Sequence, residues 1–226
     1  MKIVFLGDSL TWGGYGGNFV AELAKLLPEH EIVNAGIGGN TVLNLLNRVD
    51  DVLAEDDPDG IFVMVGGNDA ISYSQPATRR YYEQVQKVPG GIVTPEQFAQ
   101  AYRDLLTRIQ LAQVLAWVGL EPSEYNPETV AAVRQYNALA REAARALNIP
   151  VLDLMAHFPP QNVQPRPPLN QADINLIGKR SSSDWEDYET EQRRGGYSFT
   201  FDGLHLTPQS AKQLAKIIAD SLKPYL

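Results

Sequence analysis

Ile61-Phe62-Val63-Met64-Val65-Gly66-Gly67-Asn68-Asp69 is the stretch that decides the fold class. Five consecutive apolar side chains suit a strand buried on both faces, because a strand with one wet face would alternate. The glycines and the Asn-Asp pair that follow end it in a polar turn. Reading outward finds the same strand-then-helix rhythm. Upstream, Ile3-Val4-Phe5-Leu6 is a second continuous apolar run, and Glu31-Ile32-Val33-Asn34 is a shorter strand. Between them Asn18 to Leu27 reads as a helix with Phe19, Leu23 and Leu26 on one face. Thr41 can cap the next helix, striped by Val42, Leu45, Leu46, Val49 and Leu53.

Downstream, Thr94-Pro95-Glu96-Gln97 is a capping box with proline at the first helical position. It opens a helix carrying Phe98, Tyr102, Leu105, Leu106 and Ile109. Val114 to Val118 reads as a fourth strand and Val151-Leu152-Asp153-Leu154 as a fifth. An alanine-rich helix from Asn126-Pro127 to about Leu147 separates them, and Thr207-Pro208 starts the last helix. Such alternation predicts a three-layer α/β/α domain over residues 1–226, with a five-stranded parallel sheet covered by helices. Two stretches break the rhythm: residues 70–93, and a long insertion at about 157–200 that is rich in Pro, Gln, Ser and charge. Connections this long usually carry function or move.

Composition narrows the function classes. At 226 residues and 44% hydrophobic content, the chain can bury roughly 70% of its unfolded surface and needs no disulfide. It has no cysteine, which excludes a thiol nucleophile, a thiolate zinc site and an iron–sulfur cluster. The net charge of -8 repels phosphate backbones, so nucleic acid is not an expected partner. No run approaches the roughly 20 apolar residues of a membrane span, and Met1 to Leu6 is too short for a signal peptide. The expectation is a cytoplasmic protein without stable membrane insertion; the residues leave its oligomeric state open.

Ligands of open α/β sheets bind beyond the carboxyl ends of the strands. Those ends carry Gly7-Asp8-Ser9-Leu10-Thr11, Asn34 to Thr41 with Gly36, Gly38 and Gly39, and Gly66-Gly67-Asn68-Asp69; Asp202-Gly203-Leu204-His205 precedes the last helix. In these blocks the sequence resembles the SGNH (GDSL-type) hydrolase family, named for a Ser, a Gly, an Asn and a His in four separated segments. The matching residues are Ser9 in GDSL, Gly39, Asn68 in GGND and His205 in DGLH, in the family's order and across nearly the whole chain. The resemblance implies a flavodoxin-like sheet and hydrolysis of small-molecule esters or thioesters.

The chemistry can be argued beside the resemblance. A serine hydroxyl needs a base, and neutral imidazole suits that task. Of the three histidines, His30 sits in a polar turn and His157 follows the fifth strand near Pro159-Pro160. His205 has Asp202 three residues earlier, close enough for one tight turn to orient the imidazole. Ser9 alone would read as a helix cap; with the companion blocks it reads as the nucleophile. Oxyanion donors would be the Ser9 and Gly39 N–H groups and the Asn68 amide, with Gly36 and Gly38 as alternative registers. Asp8 and Asp69 are assigned to holding their loops, and Asp153 is a weaker site candidate.

Rival readings fail on spacing. The segment from Gly7 to Thr11 lacks the Lys-Ser/Thr of a P-loop, and Gly36-Ile37-Gly38 lacks a third glycine for a dinucleotide fingerprint. Thr11 stands where a G-x-S-x-G elbow needs its last glycine. No ligand spacing suggests a metal, and no cofactor is called for. An acyltransferase, or a sugar or small-ligand binding protein on the same fold, remains the alternative. Trp12, Tyr15 and Tyr73 near the blocks, and Trp185, Tyr188, Tyr197, Phe199 and Phe201 near or within the long insertion, are candidate pocket walls or plain loop anchors. Short acyl esters, lysophospholipids, thioesters and acetylated sugars all stay open as substrates.

Overall fold

The computed structural model describes residues 1–226. Its strands are β1 (Lys2–Gly7), β2 (Glu31–Gly36), β3 (Gly60–Met64), β4 (Leu115–Leu120) and β5 (Val151–Asp153). They form one parallel sheet in the order β2-β1-β3-β4-β5. The helices that carry the argument are α1 (Ser9–Trp12), α2 (Phe19–Leu26), α3 (Val42–Asp56), α4 (Gly67–Ser74), α5 (Arg79–Gln84) and α6 (Pro95–Leu111). After these come α7 (Pro127–Ala146), α8 (Leu154–His157), α9 (Gln171–Ser181), α10 (Tyr188–Gly195) and α11 (Pro208–Leu222).

Alternation within the buried strands creates the three layers. Register pairs Phe5 with Phe62, and Phe62 with Trp117, so one apolar row crosses β1, β3 and β4 on a single face. The Phe5 and Phe62 rings stack with centroids 5.2 Å apart. Helices α2 and α11 cover that row with Phe19, Leu23, Leu214 and Ile218. The neighbouring residues Val4, Leu6, Ile61 and Val63 point the other way, into the core formed with α3, α6 and α7. Burying each such side chain contributes roughly 2–3 kcal/mol.

The predicted caps at Thr94 and Asn126 hold, whereas at Thr41 the hydroxyl and the N–H both donate to the Asn44 side chain. The Thr94 hydroxyl accepts from the Gln97 N–H while the Gln97 side chain accepts from the Thr94 N–H, and Asn126 accepts from the Thr129 N–H at 2.7 Å. Strand ends differ from the sequence reading. The fourth strand begins one residue later and runs on to Leu120. The fifth stops at Asp153, because that side chain accepts from the Ala156 N–H and starts α8 at Leu154. Residues 70–93 are largely helical, through α4, α5 and short 3₁₀ turns, and the long insertion contains α9 and α10. No helix is long and apolar enough to cross a membrane.

Strand order reverses beside β1: the chain leaves it for β2 on one side and returns to β3 on the other. The crevice between the carboxyl ends of β1 and β3 is where such sheets take ligands.

Candidate active site

At that crevice β1 ends and the chain turns into α1 within two residues. Asp8 is the cap, its Oδ1 accepting from the Leu10 N–H at 3.0 Å, which sets Ser9 as the first helical residue. The Ser9 Oγ lies 3.0 Å from the His205 Nε2. On the far side of the ring, the His205 Nδ1 lies 2.8 Å from the Asp202 Oδ2. The other Asp202 oxygen accepts from the Leu204 and His205 N–H groups at 2.9 and 2.7 Å. One turn therefore holds both partners. The Tyr15 ring meets the imidazole edge-on at 5.0 Å, and His205 is 5% exposed.

Burial pulls the His205 pKa down, but the charge and hydrogen bond of Asp202, with the charge of Asp8, outweigh it and hold the imidazole above its ordinary value. Burial pushes Asp202 up, and His205 and the two backbone donors bring it below the usual carboxylate range. The other two histidines lie elsewhere. His30 contacts the chain's amino terminus, and His157 is exposed at the end of α8.

Gly39 sits opposite Ser9 across the crevice, with φ at +80°. A Cβ there would come within 2.1 Å of the Tyr81 hydroxyl and 2.4 Å of the Gln86 Nε2, so only glycine fits. The Ser9 and Gly39 N–H groups find no acceptor within the fold. Asn68, on the first turn of α4, donates through Nδ2 to the Asp8 Oδ2 at 2.8 Å, while its Oδ1 accepts from the Tyr82 hydroxyl at 2.9 Å. That leaves its second amide hydrogen unspent. Ser9, Gly39, Asn68 and His205 all line one cavity of about 470 Å³.

Several residues that build this site were not legible as motifs. Arg48 of α3 reaches back to the Gly7 and Ala35 carbonyls and to the Asn40 side chain, tying the ends of β1 and β2 to the glycine loop. Burial brings its guanidinium pKa down to about 10, so it stays charged at neutral pH. Gln86 bonds the Gly38 carbonyl, the Tyr81 hydroxyl and the Asn40 amide. Glu124 accepts from the N–H groups of Ser198, Phe199 and Thr200 and from the Thr200 hydroxyl, clipping down the segment that leads to Asp202. Residues of such bridging kind carry no local pattern, and their signal lies in pairings between distant loops.

The remaining candidates separate. The Asp69 carboxylate receives the Val42 N–H at 3.1 Å, and burial pushes its pKa up to about 8. Asp153 pairs with Arg141 at 2.5 Å, away from the cavity. Trp12 and Tyr15 line the cavity, whereas Tyr73 packs against Tyr136. From the long insertion, Leu169, Ile174 and Ile177 form a cavity wall, and Trp185 and Tyr188 lean on Phe201 behind His205.

The family model described as GDSL-like Lipase/Acylhydrolase matches residues 5–212. An acetylxylan esterase of Geobacillus stearothermophilus is 35% identical over 86 residues, which is 30% of this chain and 39% of that protein. The match thus spans under half the length of the curated relative. Among solved structures, the acetyl xylan esterase AlAXEase superposes with a TM-score of 0.66 at 17% identity, covering 98% of this chain and 100% of that one. A lipase/acylhydrolase from Enterococcus faecalis gives 0.66 at 20% identity, over 100% of this chain and 96% of the other. At those identities the likeness is one of fold: a parallel sheet with helices packed around it.

Proposed function

The chain belongs to the GDSL-like lipase/acylhydrolase family, and from that premise we propose that it cleaves carboxylic esters through an acyl-enzyme formed on Ser9. The observation that carries this reading is the unbroken relay from Ser9 through His205 to Asp202, at 3.0 and 2.8 Å, opening on the cavity. Ser9 Oγ attacks the carbonyl carbon as His205 Nε2 takes its proton. The carbonyl oxygen gathers charge and is met by the Ser9 and Gly39 N–H groups and the free Asn68 amide hydrogen. His205 returns the proton to the departing alcohol oxygen as the tetrahedral centre collapses to the acyl-serine. Water then attacks the acyl carbon, giving one proton to His205 and its oxygen to the acid product, and His205 passes that proton to the departing Ser9 Oγ. Asp202 holds the ring tautomer and stabilises the imidazolium.

The Asn68 role has a sharp test. Asn68→Ala should lower kcat about 10²–10³-fold with the far-ultraviolet dichroism unchanged; full turnover would remove Asn68 from the donor set.

The cavity also favours certain substrates. Asp8 and Asp173 line it and no lysine or arginine does, so the field there is negative and suits uncharged esters better than phosphorylated ones. The apolar wall of Leu169, Ile174, Ile177, Ile71 and Val133 suits an acyl chain of several carbons. The experiment is hydrolysis of p-nitrophenyl acetate, butyrate and octanoate. We expect kcat/KM to rise roughly tenfold or more from acetate to butyrate, since added methylenes enter an apolar pocket. No turnover on any of the three by folded protein would sink the hydrolase reading. Ester formation with an added alcohol, outrunning acid release, would make the enzyme a transferase.

A further inference from the structure

Behind Asn68 lies a pair of carboxyl groups that the reaction above leaves unused. Asp8 and Glu121 are each 2% exposed and meet side chain to side chain. Glu121 Oε2 accepts the Gly67 N–H at 2.5 Å. Asp8 accepts from Leu10 through Oδ1 and from Asn68 through Oδ2, at 3.0 and 2.8 Å. Glu121 Oε1 is fully buried, and no donor of the protein reaches it. Two ionised carboxylates in contact repel each other, and neither can donate. A single proton removes both difficulties: it gives the orphaned oxygen a role and turns the repulsion into a hydrogen bond.

We propose that Glu121 is a positioning residue that keeps a proton on Oε1 and donates it to Asp8, making Asp8 the fixed acceptor that aims the Asn68 amide at the substrate carbonyl. The inference rests on the ester-hydrolase reading for its consequence, though not for its chemistry. With Nδ2 held by Asp8 and Oδ1 held by Tyr82, the amide cannot flip, and its second hydrogen faces the cavity. Burial drives both carboxyl pKa values up, Glu121 the further. Asp8 is the partner that stays charged, because the Leu10 and Asn68 donors and the charge of His205 favour its ionised form. The other ionisable groups bearing on the pair are Asp69 from α4, Tyr81 and Tyr82 from α5 and Tyr102 from α6. An ionised Asp69 opposes a second charge on Glu121 as well. A group with a raised folded pKa holds its proton at lower pH and loses it as pH rises through that value. Alkaline pH therefore places a second negative charge behind the donors that must greet an oxyanion.

The test has an arm that ignores activity. Infrared spectra of wild type and Glu121→Gln at pH 7 should differ by the carbonyl stretch of one protonated carboxyl, present in wild type and gone in the variant. The kinetic arm is rescue. Glu121→Ala removes the donor, and kcat on p-nitrophenyl butyrate should fall tenfold or more with KM little changed. Glu121→Gln can still donate to Asp8 and accept from Gly67, so it should recover most of that loss and weaken any alkaline decline. Identical infrared spectra would overturn the proton assignment even with the hydrolase reading intact. Full kcat in Glu121→Ala would overturn the positioning role. If the alanine variant does not fold, the infrared comparison and the alkaline limb of Glu121→Gln decide. An enzyme inactive on every ester but showing the infrared difference would sink the hydrolase reading alone.

Discussion

Ser9→Ala should reduce kcat on p-nitrophenyl butyrate by roughly 10⁵–10⁶-fold, the scale lost when a serine hydrolase loses its nucleophile. The fold gives no reason for stability to follow. Ser9 Oγ bonds His205 alone, at 3.0 Å, while the cap of α1 is supplied by Asp8. The backbone N–H of residue 9 also survives the substitution, so part of the oxyanion site persists. Stopped assays at high enzyme concentration would measure the residual rate, and thermal melting followed by dichroism should move by no more than about 2 °C, the shift that about 0.5 kcal/mol produces in a chain of this length. Turnover within tenfold of wild type would mean that another group attacks the ester.

Asp202→Asn should cost about 10⁴-fold in kcat. The carboxylate accepts the His205 Nδ1 proton at 2.8 Å, which leaves Nε2 free to take the Ser9 proton. An asparagine can present its amide nitrogen to Nδ1 instead and select the wrong tautomer. Its charge matters too. Asp202 is the largest influence holding His205 above its ordinary pKa, against the opposing pull of burial. The reaction uses neutral imidazole, so wild-type activity should fall as pH drops through a midpoint above roughly 6.5. Removing the charge lets burial prevail, and the acid limb of the variant should move to lower pH. A limb that stays in place would detach the profile from His205.

Much of the fold was legible because each decisive element is local. Ile61 to Val65 is apolar without interruption, and β3 occupies the centre of the sheet between β1 and β4. The Thr94 and Asn126 caps sit where their spacing placed them. Ser9, Asn68, Asp202 and His205 were visible as short polar blocks following apolar runs or preceding a capped helix, and the structure sets Ser9, Asn68 and His205 around one cavity with Asp202 behind His205. What escaped reading depends on pairs far apart in the chain. Glu121 meets Asp8 from 113 positions further along the chain, and nothing local marks either as half of a pair. Arg48 resembles any polar residue on the outer face of α3 until its guanidinium is found on the Gly7 and Ala35 carbonyls. Likewise, Val114 looks like strand by composition, yet its N–H bonds the Ile109 carbonyl in the turn that closes α6, which delays β4 by one residue.

The long insertion is fastened at both ends by buried side chains from elsewhere. Gln75 accepts the Leu169 N–H at 3.0 Å, and Glu124 holds Ser198 to Thr200. Between those two clasps run α9, which faces the cavity, and α10, whose first residue Tyr188 rests on Phe201 together with Trp185 just before it. The insertion is thus tied to the body of the domain, and it also packs against the back of His205, through Trp185 on Tyr15 and on Phe201. A substitution in that stretch would therefore reach two places at once, the cavity wall of Ile174 and Ile177 and the aromatic backing of the His205 ring.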